Sequence, residues 1–383
     1  MSSDAIRLTH DEAVLLKRLI RSRGLEIGFD KVGFAPTQLP RETPRLERWL
    51  ERGCEGEMRW MAREPGRRSD AGRSHAATKT VICCALNYYQ GAPGESDSNR
   101  GVVSSYARGE DYHRVMEGKL GELCRFIEDK CDLKSKLYVD TGPLLEKSYA
   151  AAAGLGWLGK HSNLISRRGS SWFFLGEILV PVGLPLDLPE QNYCGSCSRC
   201  IAACPTNAIV EPYVVDSRLC ISYLTIELRN SIPRELRPAI GNRIYGCDDC
   251  QDVCPWNRFA KKSEEARFFP REPLASMDLV SMLKMSLEEF QAATRRSATR
   301  RARHAGFLRN VAVALGNSND PRVVPDLVVA LDHLEPPVRE HVAWALGSLK
   351  QRQALDALRK RLSVEEVEEV RLEIHWALKQ IEE

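Results

Sequence analysis

Cysteines carry the strongest chemical signal in the sequence. Eight of the 13 fall between Cys194 and Cys254, in two runs. The first is Cys194-x2-Cys197-x2-Cys200-x3-Cys204-Pro205. The second is Cys247-x2-Cys250-x3-Cys254-Pro255, preceded by an isolated Cys220. Three closely spaced cysteines can wrap one iron–sulfur cube, while the fourth points to the neighbouring cluster. Crossing the runs assigns Cys194, Cys197, Cys200 and Cys254 to one [4Fe–4S] cluster. Cys204, Cys220, Cys247 and Cys250 go to a second. A regular two-cluster run would place a cysteine at 244, where Ile244 stands, and Cys220 is the nearby substitute. The Cys-x2-Cys spacing also suits structural zinc, although a zinc ribbon needs no crossed fourth cysteine followed by proline. The other five, Cys54, Cys83, Cys84, Cys124 and Cys131, lie in apolar or helical contexts and read as buried small hydrophobes. Two clusters relay single electrons, so they imply an acceptor elsewhere in the chain.

Three features before residue 190 bear on that acceptor. Gly154-x-Gly156-x-x-Gly159, with Glu177 further on, matches a dinucleotide fingerprint. That fingerprint needs a strand before it and a helix after it. Here a helical run precedes and a polar segment follows, so a glycine loop approached by a large planar ligand is the better reading. Asp111-Tyr-His113 is like the motif that gives cobalamin a histidine ligand, but that motif needs glycine at 116, where Met116 stands. His113 therefore reads as a helix-start or hydrogen-bonding residue. Asp140 ends an apolar strand before Thr141-Gly142-Pro143. There it could carry a proton, with partial burial raising its pKa, or serve as a cap or turn residue.

These residues need elements to hold them. The chain has 383 residues, 43% hydrophobic and 28% charged, enough for two or three domains and unlike a disordered or collagenous chain. Thr9-x-x-Glu12 is a capping box opening a helix that ends near Gly24. Residues 31–35, 81–89, 137–140 and 172–181 read as strands, and 113–131 and 144–153 as helices, giving a mixed α/β domain over 1–190. A ferredoxin-like domain occupies 191–260. From 275 to 383 the motif Val-Ala-x-Ala-Leu-Gly recurs in variant forms, with Ala314, Ala345 and Ala377 in register at 31 and 32 residues. That period suits a HEAT-like helical repeat. The net charge of +3 hides a block from 291 to 309 with six arginines and no acid, a candidate anion-binding face. No apolar run is long enough to span a bilayer and no export signal opens the chain, so a cytoplasmic location is expected; with a use for each module and no coiled-coil seam, a monomer is expected.

Taken together, the segments from Gly56 to Arg63, Tyr106 to His113, Tyr138 to Pro143 and Gly154 to Asn163, with both cysteine runs, resemble the epoxyqueuosine reductase family. The resemblance implies a cobalamin held base-off between the α/β domain and the clusters, without a histidine ligand. It implies reduction of the epoxide of epoxyqueuosine at the tRNA wobble position to queuosine, with electrons from an external flavodoxin- or ferredoxin-type one-electron donor. Asp140 matches the family's proton donor. Arg63, Ser104, Tyr106, His161, Asn163, Ser222, Thr225 and Asp248 fall in segments that line the corrinoid. Arg295, Arg296, Arg300, Arg301, Arg303 and Arg309 become candidates for holding tRNA phosphates. A cobalamin-dependent dehalogenase and a non-catalytic electron carrier are the competing readings.

Overall fold

The computed structural model describes residues 8–91, 100–275 and 277–383. The expected capping box is present: Thr9 and Glu12 bond each other's backbone and open the helix His10–Ile27. The helix runs past Gly24 and stops at Gly28, whose left-handed backbone terminates it.

Strands Lys31–Ala35, Thr80–Asn87, Phe173–Val180 and Lys136–Tyr138 form one sheet in that spatial order. Every neighbouring pair is antiparallel. The two central strands are almost wholly buried, because helices cover both faces and leave no wet side. Helices His10–Ile27 and Tyr112–Cys131 pack on one face through Leu16, Ile20, Leu120 and Leu123. Helix Glu146–Ala152 packs on the other through Tyr149 and Ala150. The five cysteines outside the two runs are buried, as expected.

The glycine loop is corrected by the structure. Residues 157–158 and 164–165 pair as a short hairpin. A Cβ on Gly156 would meet the Ile165 carbonyl at 2.1 Å, and one on Gly154 would meet the Leu188 carbonyl at 2.5 Å. These glycines admit the protein's own backbone rather than a ligand.

The cysteine runs continue from this domain through short helices Arg199–Ala202 and Asp249–Asp252. A two-stranded parallel pairing of 102–103 with 243–245 joins the segments. Helices Arg303–Gly316, Pro336–Leu349 and Glu368–Glu382 are the long members of the repeat. The recurring Ala-Leu-Gly has a packing cause. A Cβ on Gly316 would meet the Ala345 Cα at 2.8 Å, and one on Gly347 would meet the Ala377 Cα at 2.7 Å. Small residues at that period let each helix lie close on the next. The repeats share one apolar core with Ile221, Leu224, Ile240 and Ile244. Among the described residues, no helix is long and apolar enough to cross a membrane.

Candidate active site

The structure gathers the eight cysteines of the segment into two groups. Cys254 lies within electrostatic reach of Cys194, Cys197 and Cys200, and Cys250 within reach of Cys204, Cys220 and Cys247. Among the described residues no three metal-binding side chains converge on a single-ion site. A [4Fe–4S] cube takes one cysteine thiolate per iron. The first quartet sits near the surface, beside the exposed Gly195, Ser196 and Ser198. Lys160 ties its loop by donating to the Gly195 and Cys197 carbonyls, both at 2.8 Å.

The second quartet forms part of the wall of a cavity of ≈ 380 Å³. Its opposite side comes from the α/β domain, with Tyr88, Tyr106, Tyr112 and Phe174 giving flat apolar faces. Ser104, Tyr106, Asp140, His161, Asn163, Ser222 and Asp248, all expected at the site, line it. The Asp248 carboxylate accepts the Ser104 hydroxyl and the Ser105 N–H, which fastens the loop between Cys247 and Cys250. Asn163 is held by Lys147, whose Nζ donates to its Oδ1 at 2.6 Å.

Two residues expected at the cavity fall elsewhere. Arg63 is exposed outside the wall. Thr225 is fully buried, donating to the Ile221 carbonyl and accepting the Gly246 N–H, so it pins a helix to the turn before Cys247.

His161 is only 4% exposed. Its Nδ1 accepts the Asn163 N–H at 3.2 Å, so the proton of the neutral ring sits on Nε2. Burial pushes its pKa down to about 4, which keeps the ring neutral. Among the described residues Nε2 meets no partner. A buried donor beside the cavity without an acceptor is the kind of group a bound cofactor satisfies.

At the cavity wall, Asp140 follows strand Lys136–Tyr138 in a left-handed conformation, φ 53°. Glu146, at the start of the next helix, accepts its backbone N–H. His113 Nε2 meets Asp140 Oδ2 at 3.3 Å, and its Nδ1 meets Asp111 Oδ1 at 2.7 Å. Asp111 also caps the helix that carries His113. Burial alone would lower the His113 pKa, but hydrogen bonds to the two aspartates outweigh it and raise the pKa to about 9. For Asp140, burial pushes upward, while the His113 hydrogen bond and charge, with Lys147 and Arg301, carry the pKa below its ordinary value. The expected raised pKa is thus corrected: the side chain is 58% exposed and the pair's proton rests on the imidazole. Both His113 nitrogens are engaged by aspartates.

Sequence reasoning set aside His113 as a ligand and Glu177 as a fingerprint acid, and missed Glu146 and Lys147. Only the backbone brings these together, since strand Phe173–Val180 places Glu177 opposite Tyr138 and Cys83.

The arginine block divides. Arg295, Arg296, Arg300, Arg301 and Arg303 are exposed. The Arg296 carbonyl accepts the Asp111 N–H at 2.7 Å, so the block abuts the His113 loop. Arg301 lies over Trp60 and pairs with Glu227. Arg309 is corrected: it is 1% exposed, and its guanidinium donates to the carbonyls of Leu224, Leu228 and Asn230. It bolts the repeats to the cluster segment and cannot reach a phosphate.

Known proteins share this arrangement. Residues 193–257 match the family of 4Fe-4S double cluster binding domains, and 292–379 match HEAT repeats. Residues 68–141 match the family described as epoxyqueuosine reductase QueG, DUF1730. The epoxyqueuosine reductase of Escherichia coli K12 is 44% identical over 342 residues, covering 88% of this chain and 90% of the relative. That of Pseudomonas aeruginosa is 42% identical over 351 residues, covering 89% and 97%. A crystal structure of epoxyqueuosine reductase with an epoxyqueuosine-modified tRNA stem loop superposes with a TM-score of 0.89 at 29% identity, covering 96% of this chain and 99% of the other. The Bacillus subtilis enzyme, with its catalytic aspartate loop swung out of the active site, gives 0.89 at 28% identity over the same shares. At 42–44% identity over nearly nine-tenths of its length, the chain belongs to the epoxyqueuosine reductase family.

Proposed function

We propose that this chain reduces the epoxide of epoxyqueuosine in tRNA to the alkene of queuosine, with Asp140 and His113 supplying a proton at the cavity. The observation that carries this reading is one cavity walled by Cys204, Cys220, Cys247 and Cys250 on one side and Asp140 on the other. Cys194, Cys197, Cys200 and Cys254 would hold one [4Fe–4S] cluster near the surface, where a flavodoxin- or ferredoxin-type donor can approach. Cys204, Cys220, Cys247 and Cys250 would hold the second at the cavity wall, and together the two would supply one-electron transfer to the site. Cobalamin held in this cavity would supply the low-valent metal chemistry that the reduction needs. Tyr106, Ser104, Ser222, Asn163, Asp248 and the His161 Nε2–H line its place. The His161 donor and the flat apolar wall support the fit.

Deoxygenation takes two electrons and two protons. Two C–O bonds break, one C=C bond forms, and the oxygen leaves as water. Asp140, hydrogen-bonded to the His113 imidazolium, passes that proton to the oxygen as the first C–O bond opens. Asp111 holds the imidazole in orientation. The exposed Arg295, Arg296, Arg300, Arg301 and Arg303 hold tRNA phosphates beside the cavity. The chain does this as a cytoplasmic monomer.

Anaerobic incubation of the fully loaded protein with epoxyqueuosine tRNA and a one-electron reductant tests the proposal. Mass spectrometry of the modified nucleoside is expected to show loss of one oxygen. An unchanged nucleoside with both cofactors loaded would refute the reading.

A further inference from the structure

The His113–Asp140 pair carries one proton, and the reaction proposed above consumes two. A second source has to lie within reach of the same oxygen. Glu146 lines the cavity and accepts the Asp140 backbone N–H. Behind it lies Glu177, 0% exposed in the middle of strand Phe173–Val180. Among the described residues neither Glu177 oxygen meets a hydrogen-bond donor of good geometry. What faces it is the Glu146 carboxyl. An ionised carboxylate cannot be kept in such a place without a partner. Two adjacent buried carboxyls resolve this by holding protons.

We propose that Glu146 and Glu177 are a proton store behind Asp140 that supplies the second proton of the deoxygenation. The assignment rests on the epoxide-reductase reading. As the second C–O bond breaks, Glu146 gives its proton to the departing oxygen, which leaves as water. Glu177 refills Glu146, and the pair regains a proton from solvent after product leaves. The two electrons come from the same external one-electron donor, used twice.

The surroundings agree. Burial first, and then the Asp140 charge, lift the Glu146 pKa to about 7, while Lys147 pulls it the other way. Burial and Glu146 push Glu177 well above the ordinary carboxylate range. The Asp140 charge adds to the push on Glu177, and the Cys83, Cys84 and Tyr149 side chains, which also feel Glu177, are held neutral by burial.

Glu146→Gln keeps an acceptor for the Asp140 N–H but has no proton to give. With wild type and variant in one assay, we expect an unchanged tRNA KM, unchanged cobalamin and cluster spectra, and kcat lower by tenfold or more, about the size of a lost general acid. Wild-type kcat is expected to fall as pH rises through about 7, and the variant to lose that limb. Glu146→Asp should restore part of kcat and the limb with it. Infrared spectra of the resting protein give a readout independent of turnover: a protonated-carboxyl band present in wild type and lost in Glu177→Gln. A variant kcat within twofold of wild type, or no such band, overturns the proton store. An inactive wild type would instead count against the epoxide-reductase reading.

Discussion

The cysteine pattern was legible from spacing because each run is local, and the crossed pairing follows from the length of the runs. Asp140 was legible by place but not by protonation. Its partner, His113, arrives from a different helix, and no local pattern reveals that the imidazole takes the proton. The sign of the pH dependence follows. His113 is raised from 6.5 to about 9, so its contribution to folding is fully present below about 6.5 and is lost as pH rises through about 9. The same protonation feeds Asp140, so kcat should steepen its decline above about pH 9. In His113→Gln we expect that steepening to vanish and kcat to fall by about a hundredfold at neutral pH. A variant that kept both the wild-type rate and its alkaline profile would remove His113 from the proton path.

Strands and helices were placed to within a few residues because their apolar patterns are strong. Their pairing was not visible, since an antiparallel sheet covered on both faces reads as continuous apolar strands like a parallel one. The repeat was legible from the small residues at Gly316, Ala345, Gly347 and Ala377, which exist for close helix approach. What it docks on was not. Arg309 shows why: in sequence it belongs to a basic block, and in the fold it is a buried bolt to three carbonyls of the cluster segment. Arg309→Ala should cost about 2–4 kcal/mol in unfolding free energy, measured by denaturant titration, because those carbonyls lose their donors. The salt dependence of tRNA binding should stay as it was. Normal stability with a flattened salt dependence would return Arg309 to the binding face.

Across the whole molecule, three parts meet at one place. The α/β domain brings Asp140, the cluster segment brings the inner cysteines, and the repeats carry exposed arginines that abut the His113 loop. Replacing Arg295, Arg296 and Arg300 together with alanine should weaken tRNA binding. The slope of log K against log salt should fall by roughly two to three, as expected for three lost phosphate contacts. An unchanged slope would move the tRNA elsewhere. The central claim is that the epoxide is opened at this cavity with a proton passed by Asp140. Its most direct test is a single-turnover reaction of Asp140→Asn beside wild type, both loaded with cobalamin and both clusters and quenched for nucleoside mass. The expected result is conversion to queuosine in wild type and almost none in the variant, with identical corrinoid and iron–sulfur spectra. Conversion by Asp140→Asn at close to the wild-type rate would contradict the account.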